Sequence, residues 1–200
     1  MTDAERLVAE DVFQGVTFGE LELDDADLSG KDFSRCAFRG VKLRRSRWDG
    51  ARLEECVFED CDLSRLGPGP RTAAGVTFRR TKLMGVELAK LGNPVLAFEE
   101  CDLRYAAFLD LHLWGAVFRG CKLGEATFSG CDLSQASFAG ADLTGAIFEA
   151  CQLAGTDLRT ARGAFLDPAR NKVRGARVSL ETAARLAAAL GMQVEGFEEG

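Results

Sequence analysis

Seven cysteines, one histidine and several pairs of adjacent acids are the residues that could carry out chemistry in this sequence of 200 residues. Cysteine and histidine act as metal ligands or nucleophile and base, and adjacent carboxylates hold cations or support hydrolysis. However, the cysteine count is odd and no C-x-x-C spacing occurs. The cysteines are Cys36, Cys56, Cys61, Cys101, Cys121, Cys131 and Cys151, all one residue past a multiple of five. This periodicity is typical of a small apolar packing position in a reducing cytoplasm.

His112 directly precedes Leu113, and the five-residue spacing predicts that it faces outward. A general base needs an orienting neighbour and a pocket, and the pattern offers neither. The sequence contains no Gly-rich phosphate loop, nucleophile elbow or metal-ligand spacing. We therefore expect a protein that is not an enzyme, with no catalytic residue, no cofactor and no metal site.

A five-residue period runs through most of the chain. A large apolar residue occupies every fifth position from Phe13 to Leu63 and again from Phe98 to Leu158, and the residue two positions earlier is typically small or apolar. Blocks such as CDLSQ at 131–135 and ADLTG at 141–145 show the unit. Neither a helix nor a strand has this period, so the pattern predicts a repeat architecture.

A second period of 20 residues gives the size of one coil, since four pentads make one turn. The two main series are Phe18, Phe38, Phe58, Phe78, Phe98, Phe118 and Phe138, and Leu23, Leu43, Leu63, Leu83, Leu103, Leu123 and Leu143. Identical side chains then stack, and the backbone pairs with the neighbouring coils at about 4.8 Å. The sequence predicts an all-β solenoid, with 1–10 as an N-terminal cap, 11–165 as the β-helix and 166–200 as a C-terminal module.

Two stretches, 64–75 and 91–96, interrupt the consensus without shifting its phase. They place Pro68, Ala73 and Asn93 at large inward positions. Local distortion without insertion is the simpler interpretation, and a bulged loop that keeps the phase is the alternative. These positions fall on adjacent faces of neighbouring coils, where they would form one irregular surface.

Charge is unevenly distributed along the chain. Residues 1–30 hold nine acids against Arg6 alone, so this end carries −8 and the rest +2 of the net charge of −6. On two neighbouring faces the outward residues change sign at each coil, which predicts cross-strand ion ladders worth about 0.2–1 kcal/mol per pair. One ladder runs through Glu20, Arg39, Glu59, Arg79, Glu99 and Arg119, and the other through Glu22, Lys42, Asp62, Lys82, Asp102, Lys122 and Asp142. The alternation disfavours direct binding of nucleic acid.

The first residues, MTDAERLVAED, have no basic region followed by an apolar one, and nowhere do 18 apolar residues occur together. Secretion and membrane spanning are therefore disfavoured. We expect a cytoplasmic protein.

The residues after the repeat change from a five-residue to a helical spacing. Ser179 or Thr182 can cap a helix that ends at Gly191, and the apolar positions are Leu180, Ala183, Ala184, Ala187 and Leu190. Alternation from Met192 to Phe197 predicts a short strand after it. These elements would cover the open end of the solenoid, or two copies would share them around a twofold axis.

The A(D/N)Lxx unit in ADLTG and CDLSQ resembles the pentapeptide-repeat family, whose members are right-handed quadrilateral β-helices. The resemblance covers about residues 11–165 and implies that fold here, followed by the short C-terminal helix and strand. The ending DPARNKVRGARVSLETAARLAAALGMQVEG is similar to that of the topoisomerase-protecting branch, namely the Qnr quinolone-resistance, mycobacterial fluoroquinolone-resistance and albicidin-resistance proteins. This similarity implies a homodimer with contacts at Leu180, Leu186, Leu190, Met192 and Val194.

The resemblance also implies a function, which is binding to bacterial DNA gyrase, with topoisomerase IV as a further candidate, and protection from poisons such as fluoroquinolones or albicidin. Mimicry of duplex DNA by an acidic rod is one explanation within the family. The alternating charges make mimicry at most partial here and favour contact through shape and a local patch. The alternative is a structural or scaffolding solenoid with another protein partner, which need not have the C-terminal helix.

Two surfaces are candidates for partner binding. The first is the acidic end, Glu20, Glu22, Asp24, Asp25 and Asp27, which would face a basic DNA-binding groove, and a solvated cap is the other interpretation. The second is the irregular surface around Arg71 and Asn93 with outward Tyr105, Leu109 and Trp114. Exposed aromatic residues on a β-solenoid often mark a contact.

Overall fold

The computed structural model describes residues 2–67, 69–92 and 94–195, which form a parallel β-solenoid with a helix near each end. Each strand pairs in parallel with the strand 20 residues away in the sequence. For example, Phe18 lies opposite Phe38 and Phe98 lies opposite Phe118. The predicted β-solenoid with four pentads in each coil is therefore confirmed.

Each coil has four faces, which we number by the inward residue of the first coil as face 1 (Phe13), face 2 (Phe18), face 3 (Leu23) and face 4 (Leu28). Face 1 contains β1 (Val12–Gln14), β3 (Asp32–Ser34), β5 (Arg52–Glu54) and β7 (Thr72–Ala74). Face 2 contains β2 (Thr17–Gly19), β4 (Ala37–Arg39), β6 (Val57–Glu59), β8 (Val76–Arg79), β10 (Leu96–Glu99) and β12 (Val117–Arg119), and further along β15 (Asp157–Leu158) and β16 (Arg177–Val178). Face 3 is joined by isolated bridges, and face 4 contains β9 (Glu87–Ala89), β11 (Ala107–Leu109), β13 (Thr127–Ser129) and β14 (Ile147–Glu149).

The last two residues of each pentad form the corners between faces. The fifth residue has a positive φ, as at Tyr105 (60°) and Gly145 (72°), which is the conformation that favours glycine. An Asp three residues before the fifth position closes the corner. The carboxylate of Asp142 accepts hydrogen bonds from the Thr144 backbone N–H (3.1 Å) and hydroxyl (2.7 Å). This contact gives the Asp of the A(D/N)Lxx unit a structural role.

Stacked phenylalanines fill the interior. On face 2, the rings of Phe38 and Phe58 are stacked with centroids 4.5 Å apart, and Phe118 and Phe138 with centroids 4.8 Å apart. Rings on adjacent faces meet edge to face, as for Phe118 with Phe128. Both arrangements are favourable for aromatic pairs, so the 20-residue period produces a close-packed core.

The cysteines occupy the small inward position, and each is a buried free thiol. The Cys131 Sγ lies 3.3 Å from the carbonyl oxygen of Phe108, 23 residues earlier, and the Thr156 hydroxyl donates to the Leu133 carbonyl in the same way at 2.8 Å. Burial raises the pKa of Cys56 and Cys61 to about 11. The position therefore takes a small side chain that packs inward and donates to the preceding coil, in agreement with the predicted packing role.

The N-terminal end of the solenoid carries α1 (Asp3–Ala9). Thr2 and Glu5 form a capping box, and Leu7 is fully buried. The amino group of Lys31, which occupies a small inward position and is itself buried, donates to the carbonyls of Val8 (3.1 Å) and Glu10 (2.6 Å). A buried lysine thus fixes the end of α1 to the β-helix.

At the other end, the ladders extend past residue 165, because β15 pairs with β16 and Gln152 bridges Lys172. Ser179 then caps α2 (Leu180–Ala189) as one of the two predicted candidates, with Thr182 buried behind it. The strand predicted from Met192 does not form over the described residues 192–195. The Met192 N–H donates to the Ala187 carbonyl (3.0 Å) and so closes the end of α2, while Phe197 lies outside the described residues. Within the described part of the chain, neither α1 nor α2 has the length and apolar character needed to cross a bilayer.

Candidate partner-binding surfaces

Bases of the next coil cover the predicted acidic end. Lys42 pairs with Glu22, Arg44 donates to Asp24 (2.8 Å), Arg45 donates to Asp25 (2.7 Å) and Arg47 lies 3.1 Å from Asp27. The hydrogen bond from Arg44 lowers the pKa of Asp24, and that from Arg45 lowers the pKa of Asp25. The stacking that builds the coil thus brings a base opposite each of these four acids, and the acidic end stays a candidate partner surface whose charge is largely paired.

The ion ladder predicted on face 2 forms over its middle coils. Arg39 lies 3.7 Å from Glu59, and Glu99 pairs with both Arg79 (3.4 Å) and Arg119 (3.0 Å). Glu59 also accepts a hydrogen bond from Arg80 (2.8 Å). The middle of this face is thus internally compensated, as the sequence predicts.

The ladder predicted on face 3 is only partly formed, although its backbone bridges continue from Glu22 to Arg162. Asp62 accepts from the Ser64 hydroxyl (2.7 Å), and Asp102 pairs with Arg104 (2.7 Å) in its own coil. The reason is that an Asp before the inward leucine is already held by the corner of its own pentad. Among the described residues, pairing with the next coil occurs on face 3 at its two ends, as in Glu22 with Lys42 and Asp142 with Arg162 (3.5 Å), whereas on face 2 it runs through the middle coils.

The first irregular stretch opens a cleft at the corner between faces 4 and 1, which we call the corner cleft. Its volume is about 700 Å³, and its lining residues are Asp49, Gly50, Leu66, Gly67, Gly69, Pro70, Arg71, Glu87, Ala89 and Lys90. Pro70 is buried where other coils have an exposed corner residue. Arg71 is exposed although its column neighbours Ala51 and Leu91 are buried. Local distortion without insertion is what the structure has here, and Pro68 and Asn93 lie outside the described residues.

A small apolar cavity of about 30 Å³ lies behind the corner cleft, inside the solenoid. Leu66 and Pro70 line both spaces, and Ala73 stands where Leu53 fills the coil below. The short side chain of Ala73 leaves space that a larger residue fills in other coils.

The predicted aromatic residues do not form one surface with Arg71. Trp114 is 68% exposed at the corner between faces 1 and 2, beside Val95 (65% exposed). Tyr105 is exposed at the corner between faces 3 and 4, which is diagonally opposite in a coil of four faces. Leu109 is half-buried at the corner between faces 4 and 1. The structure thus separates three corners that the sequence analysis treats as one patch.

The predicted dimer contacts differ in accessibility. Leu180 is 86% exposed, and Leu190 and Met192 are also exposed. In contrast, Leu186 packs against the core of its own chain, and Val194 is half-buried. Leu186 and the buried Ala184 are therefore part of the end cover of the solenoid, whereas Leu180 at the start of α2 and Leu190 and Met192 after it remain accessible.

The comparisons with known proteins agree with this geometry. One family model, described as pentapeptide repeats, matches residues 23–66, and a second with the same description matches residues 98–135 and 121–159. Together the two matches cover more than half of the chain.

This chain is a pentapeptide-repeat protein. Among solved structures, a trypsin-treated form of QnrB1, a plasmid-mediated fluoroquinolone resistance protein, has a TM-score of 0.73 at 18% identity and covers 92% of this chain and 99% of its own. Full-length QnrB1 has a TM-score of 0.57 at 19% identity, with 90% of this chain and 100% of its own covered. At these identities the match shows a common fold. No curated protein sequence matches the chain.

One feature of the corner cleft that the sequence pattern did not predict is that Pro70, with no N–H to donate, is buried at its corner. The signal was present in the sequence, since Pro68 and Pro70 lie in one pentad and proline has no N–H. The five-residue pattern predicts a local distortion at Pro68 and says nothing of Pro70.

Proposed function

We propose that this pentapeptide-repeat protein is a non-catalytic binding protein that engages bacterial type II topoisomerase, with DNA gyrase as the main target and topoisomerase IV as a second. Binding protects the enzyme from poisons that trap the cleaved DNA complex, such as fluoroquinolones or albicidin. The observation that carries the proposal is the match to QnrB1, which extends over 92% of this chain and 99% of that fluoroquinolone resistance protein.

The mode of contact that we infer depends on shape more than on charge. A DNA mimic should present dense uncompensated negative charge. Here Arg44, Arg45 and Arg47 pair with Asp24, Asp25 and Asp27 of the acidic end, and Arg79 and Arg119 pair with Glu99 on face 2. Mimicry is therefore at most partial, and the exposed corner at Val95 and Trp114 is the better candidate for a local contact.

We also propose a homodimer formed through α2. Leu180, Leu190 and Met192 expose apolar side chains at one end of the solenoid. Pairing around a twofold axis would bury these side chains in both copies and would make a rod twice as long. Leu186 would support the interface from behind, since it packs on its own core.

Supercoiling by purified gyrase, measured with and without ciprofloxacin or albicidin across a titration of this protein, tests the topoisomerase proposal. Restored supercoiling in the presence of drug is the expected result. If the protein neither restores supercoiling nor inhibits gyrase at high concentration, the topoisomerase proposal is wrong and a solenoid that binds another protein remains. Sedimentation of the wild type against a Leu180→Glu/Leu190→Glu variant tests the dimer, and the variant should sediment as a monomer with unchanged circular dichroism.

A further inference from the structure

The outward side of face 4 carries no charge along β11 and β13. Tyr105 stands at the corner before β11, Leu109 ends β11, and Ile147 begins β14 two coils further along. Tyr105 is 56% and Ile147 54% exposed, and Leu109 is half-buried. The outward residues between them are small and half-buried, namely Ala107, Thr127 and Ser129. These six residues form a surface with an apolar side chain on three of its borders, which we call the face 4 surface.

The backbone ladder beneath the face 4 surface is made within the chain. β11 pairs with β9 on one side and with β13 on the other, and β13 also pairs with β14. The Ala107 N–H donates to the Val86 carbonyl at 2.8 Å, and the Ile147 N–H donates to the Ala126 carbonyl at the same distance. This face therefore offers side chains, rather than backbone groups, to a partner.

Acidic residues border the face 4 surface on three sides. Glu125 stands at the corner with face 3, Asp110 at the corner with face 1, and Glu149 at the end of β14, and all three are exposed. Within the part of the chain that the structure describes, Asp110 and Glu125 form no ion pair, and Glu149 approaches only Arg170, at 3.8 Å. The border of the surface is therefore negative.

The stacking of coils explains why Glu125 is uncompensated. Its column contains Tyr105 in the coil before and Gly145 in the coil after, so neither neighbour supplies a base. On face 2 the same stacking places Arg119 3.0 Å from Glu99. The ion ladders that neutralise face 2 thus have no counterpart beside Glu125.

Asp110 has a lysine in its column but turns away from it. Its carboxylate lies in the space that a Cβ atom on Gly130, in the next coil, would fill, whereas Lys90 belongs to the coil before. A glycine at this corner therefore lets the carboxylate lean along the solenoid and away from the base. The fourth border of the surface, at β9, has both Glu87 and Lys90.

We propose that the face 4 surface binds a basic amphipathic helix of a partner protein. A helix satisfies its own backbone hydrogen bonds, as the strands beneath it do. Residues i and i+7 of a helix lie about 10.5 Å apart on one side. Two coils span about 9.6 Å, so two such apolar residues would contact Tyr105 with Leu109 and Ile147. Basic residues beside them would reach Asp110 and Glu125, and the same acids disfavour nucleic acid and anionic lipid.

This surface is separate from the corner that we assign to the topoisomerase. Trp114 lies between faces 1 and 2, whereas the helix would lie on face 4, which is opposite face 2 in a coil of four faces. The two partners would not compete for the same residues. The inference therefore holds whether or not the topoisomerase proposal is right.

A defined probe for the surface is the synthetic peptide acetyl-KLAALKAKLAALKA-amide, whose helix has a leucine stripe flanked by lysines. Titration into the full-length protein labelled with ¹⁵N should shift the amide signals of Ala107, Leu109, Thr127 and Ile147, and leave that of Val117 on face 2 unchanged. The matched peptide acetyl-ELAALEAELAALEA-amide keeps the stripe but reverses the charge. We expect it to bind about tenfold more weakly or less.

The apolar contribution can be tested on the protein. Leu109→Thr/Ile147→Thr replaces both apolar side chains by one that suits an outward strand position, and it should weaken binding of the basic peptide about tenfold. Val117→Thr, at the equivalent outward position of face 2, is the matched control and should leave binding unchanged. Circular dichroism should be the same for both variants and the wild type.

The charge contribution has its own pair of variants. Asp110→Asn/Glu125→Gln should weaken binding of the basic peptide and make it less dependent on salt, because two carboxylates at the border are lost. Glu100→Gln removes an exposed acid at the corner between faces 2 and 3 and should change neither property.

The proposal is overturned if millimolar basic peptide shifts none of the face 4 amides, or if the acidic peptide binds equally well. It is also overturned if Val117→Thr weakens binding as much as Leu109→Thr/Ile147→Thr. Sedimentation that shows a second copy of the chain covering face 4 would likewise exclude the helix.

Discussion

The amino nitrogen of Lys31 lies 2.6 Å from the carbonyl oxygen of Glu10, the C-cap residue of α1. The same amino group donates to the Val8 carbonyl and pairs with Asp11 at 3.1 Å. Carbonyls at a helix end lack partners within the helix, and a cation there satisfies them and interacts well with the helix dipole. One side chain therefore closes the N-terminal end of the solenoid.

Replacing this lysine should loosen α1. We expect Lys31→Met to lower the free energy of unfolding by about 2 kcal/mol, because it leaves part-buried carbonyls without a donor. Hydrogen exchange in α1 should accelerate before exchange in the coils. Lys42→Met, which removes only an exposed ion pair with Glu22, is the control and should change stability by less than about 1 kcal/mol. Equal effects of the two substitutions would contradict this role.

Ala73→Leu should stabilise the protein. The apolar cavity of about 30 Å³ beside Ala73 can accept part of a larger side chain, and Leu53 already occupies the same column. Filling it should raise the free energy of unfolding by about 1 kcal/mol. The control is Ala136→Leu, at a fully buried small position, which should destabilise by about 1–3 kcal/mol through overpacking. A melting temperature that falls for Ala73→Leu would show that the surrounding coil does not leave usable space.

Alkaline pH should destabilise the fold through its buried thiols. Burial raises the pKa of Cys56 and Cys61 to about 11 from an ordinary value near 9. Between these pH values the unfolded chain releases protons that the folded chain keeps, so stability is complete below pH 9 and decreases as the pH rises to 11. Each thiol accounts for about 2–3 kcal/mol. Denaturant titrations of wild type and Cys56→Ala/Cys61→Ala should give a shallower alkaline decrease for the variant, and identical pH profiles would refute the assignment.

Trp114→Ala should weaken binding to the topoisomerase without altering the fold. Trp114 is exposed beside Val95, and removing a large exposed aromatic from an interface commonly reduces affinity tenfold or more. Tyr105→Ala is the matched control, because Tyr105 is a similarly exposed aromatic at the diagonally opposite corner. Affinity measured by surface plasmon resonance should decrease for the first variant alone. A larger loss of affinity for Tyr105→Ala would indicate that the partner contacts the opposite corner instead.

Binding to gyrase should depend only weakly on salt. The acids at the N-terminal end are paired with Lys42, Arg44, Arg45 and Arg47, so few counterions remain to be released. We expect a slope of log affinity against log salt shallower than about −2, whereas DNA gives about −0.9 for each phosphate neutralised. Replacing the four bases by glutamine should expose the acids and steepen the slope. A steep slope for the wild type would favour charge mimicry after all.

The regular part of this fold could be predicted from the sequence because one physical requirement repeats in every coil. A large inward residue such as Phe58 must stack on Phe38 and Phe78, so the 20-residue spacing is visible directly. The face 2 ladder follows from the same stacking. Leu186 was harder to predict, because whether it points to its own core or to a partner depends on how α2 lies on the last coil.

Side-chain choices between equivalent partners could not be predicted in this way. Asp102 could form an ion pair with a base of the next coil or with Arg104. It pairs with Arg104, because the two side chains belong to the same corner and lie only two residues apart. Lys31 was missed because its position normally holds a small apolar residue, and only the position of α1 shows why a lysine is accommodated there. The corner cleft depends on where the chain turns inward at Pro70, which spacing alone does not reveal.

Since every described ladder bridge joins residues 20 apart, the length of this protein can change in steps of one coil. Duplicating or deleting a block such as 116–135 would leave each inward side chain inward and each ladder bond in register. A single inserted residue would rotate all later coils out of alignment. Tandem duplication of a gene segment that encodes one coil can therefore lengthen such a protein while each product keeps the fold. The distance that the molecule spans between two partners is adjustable in increments of about 5 Å.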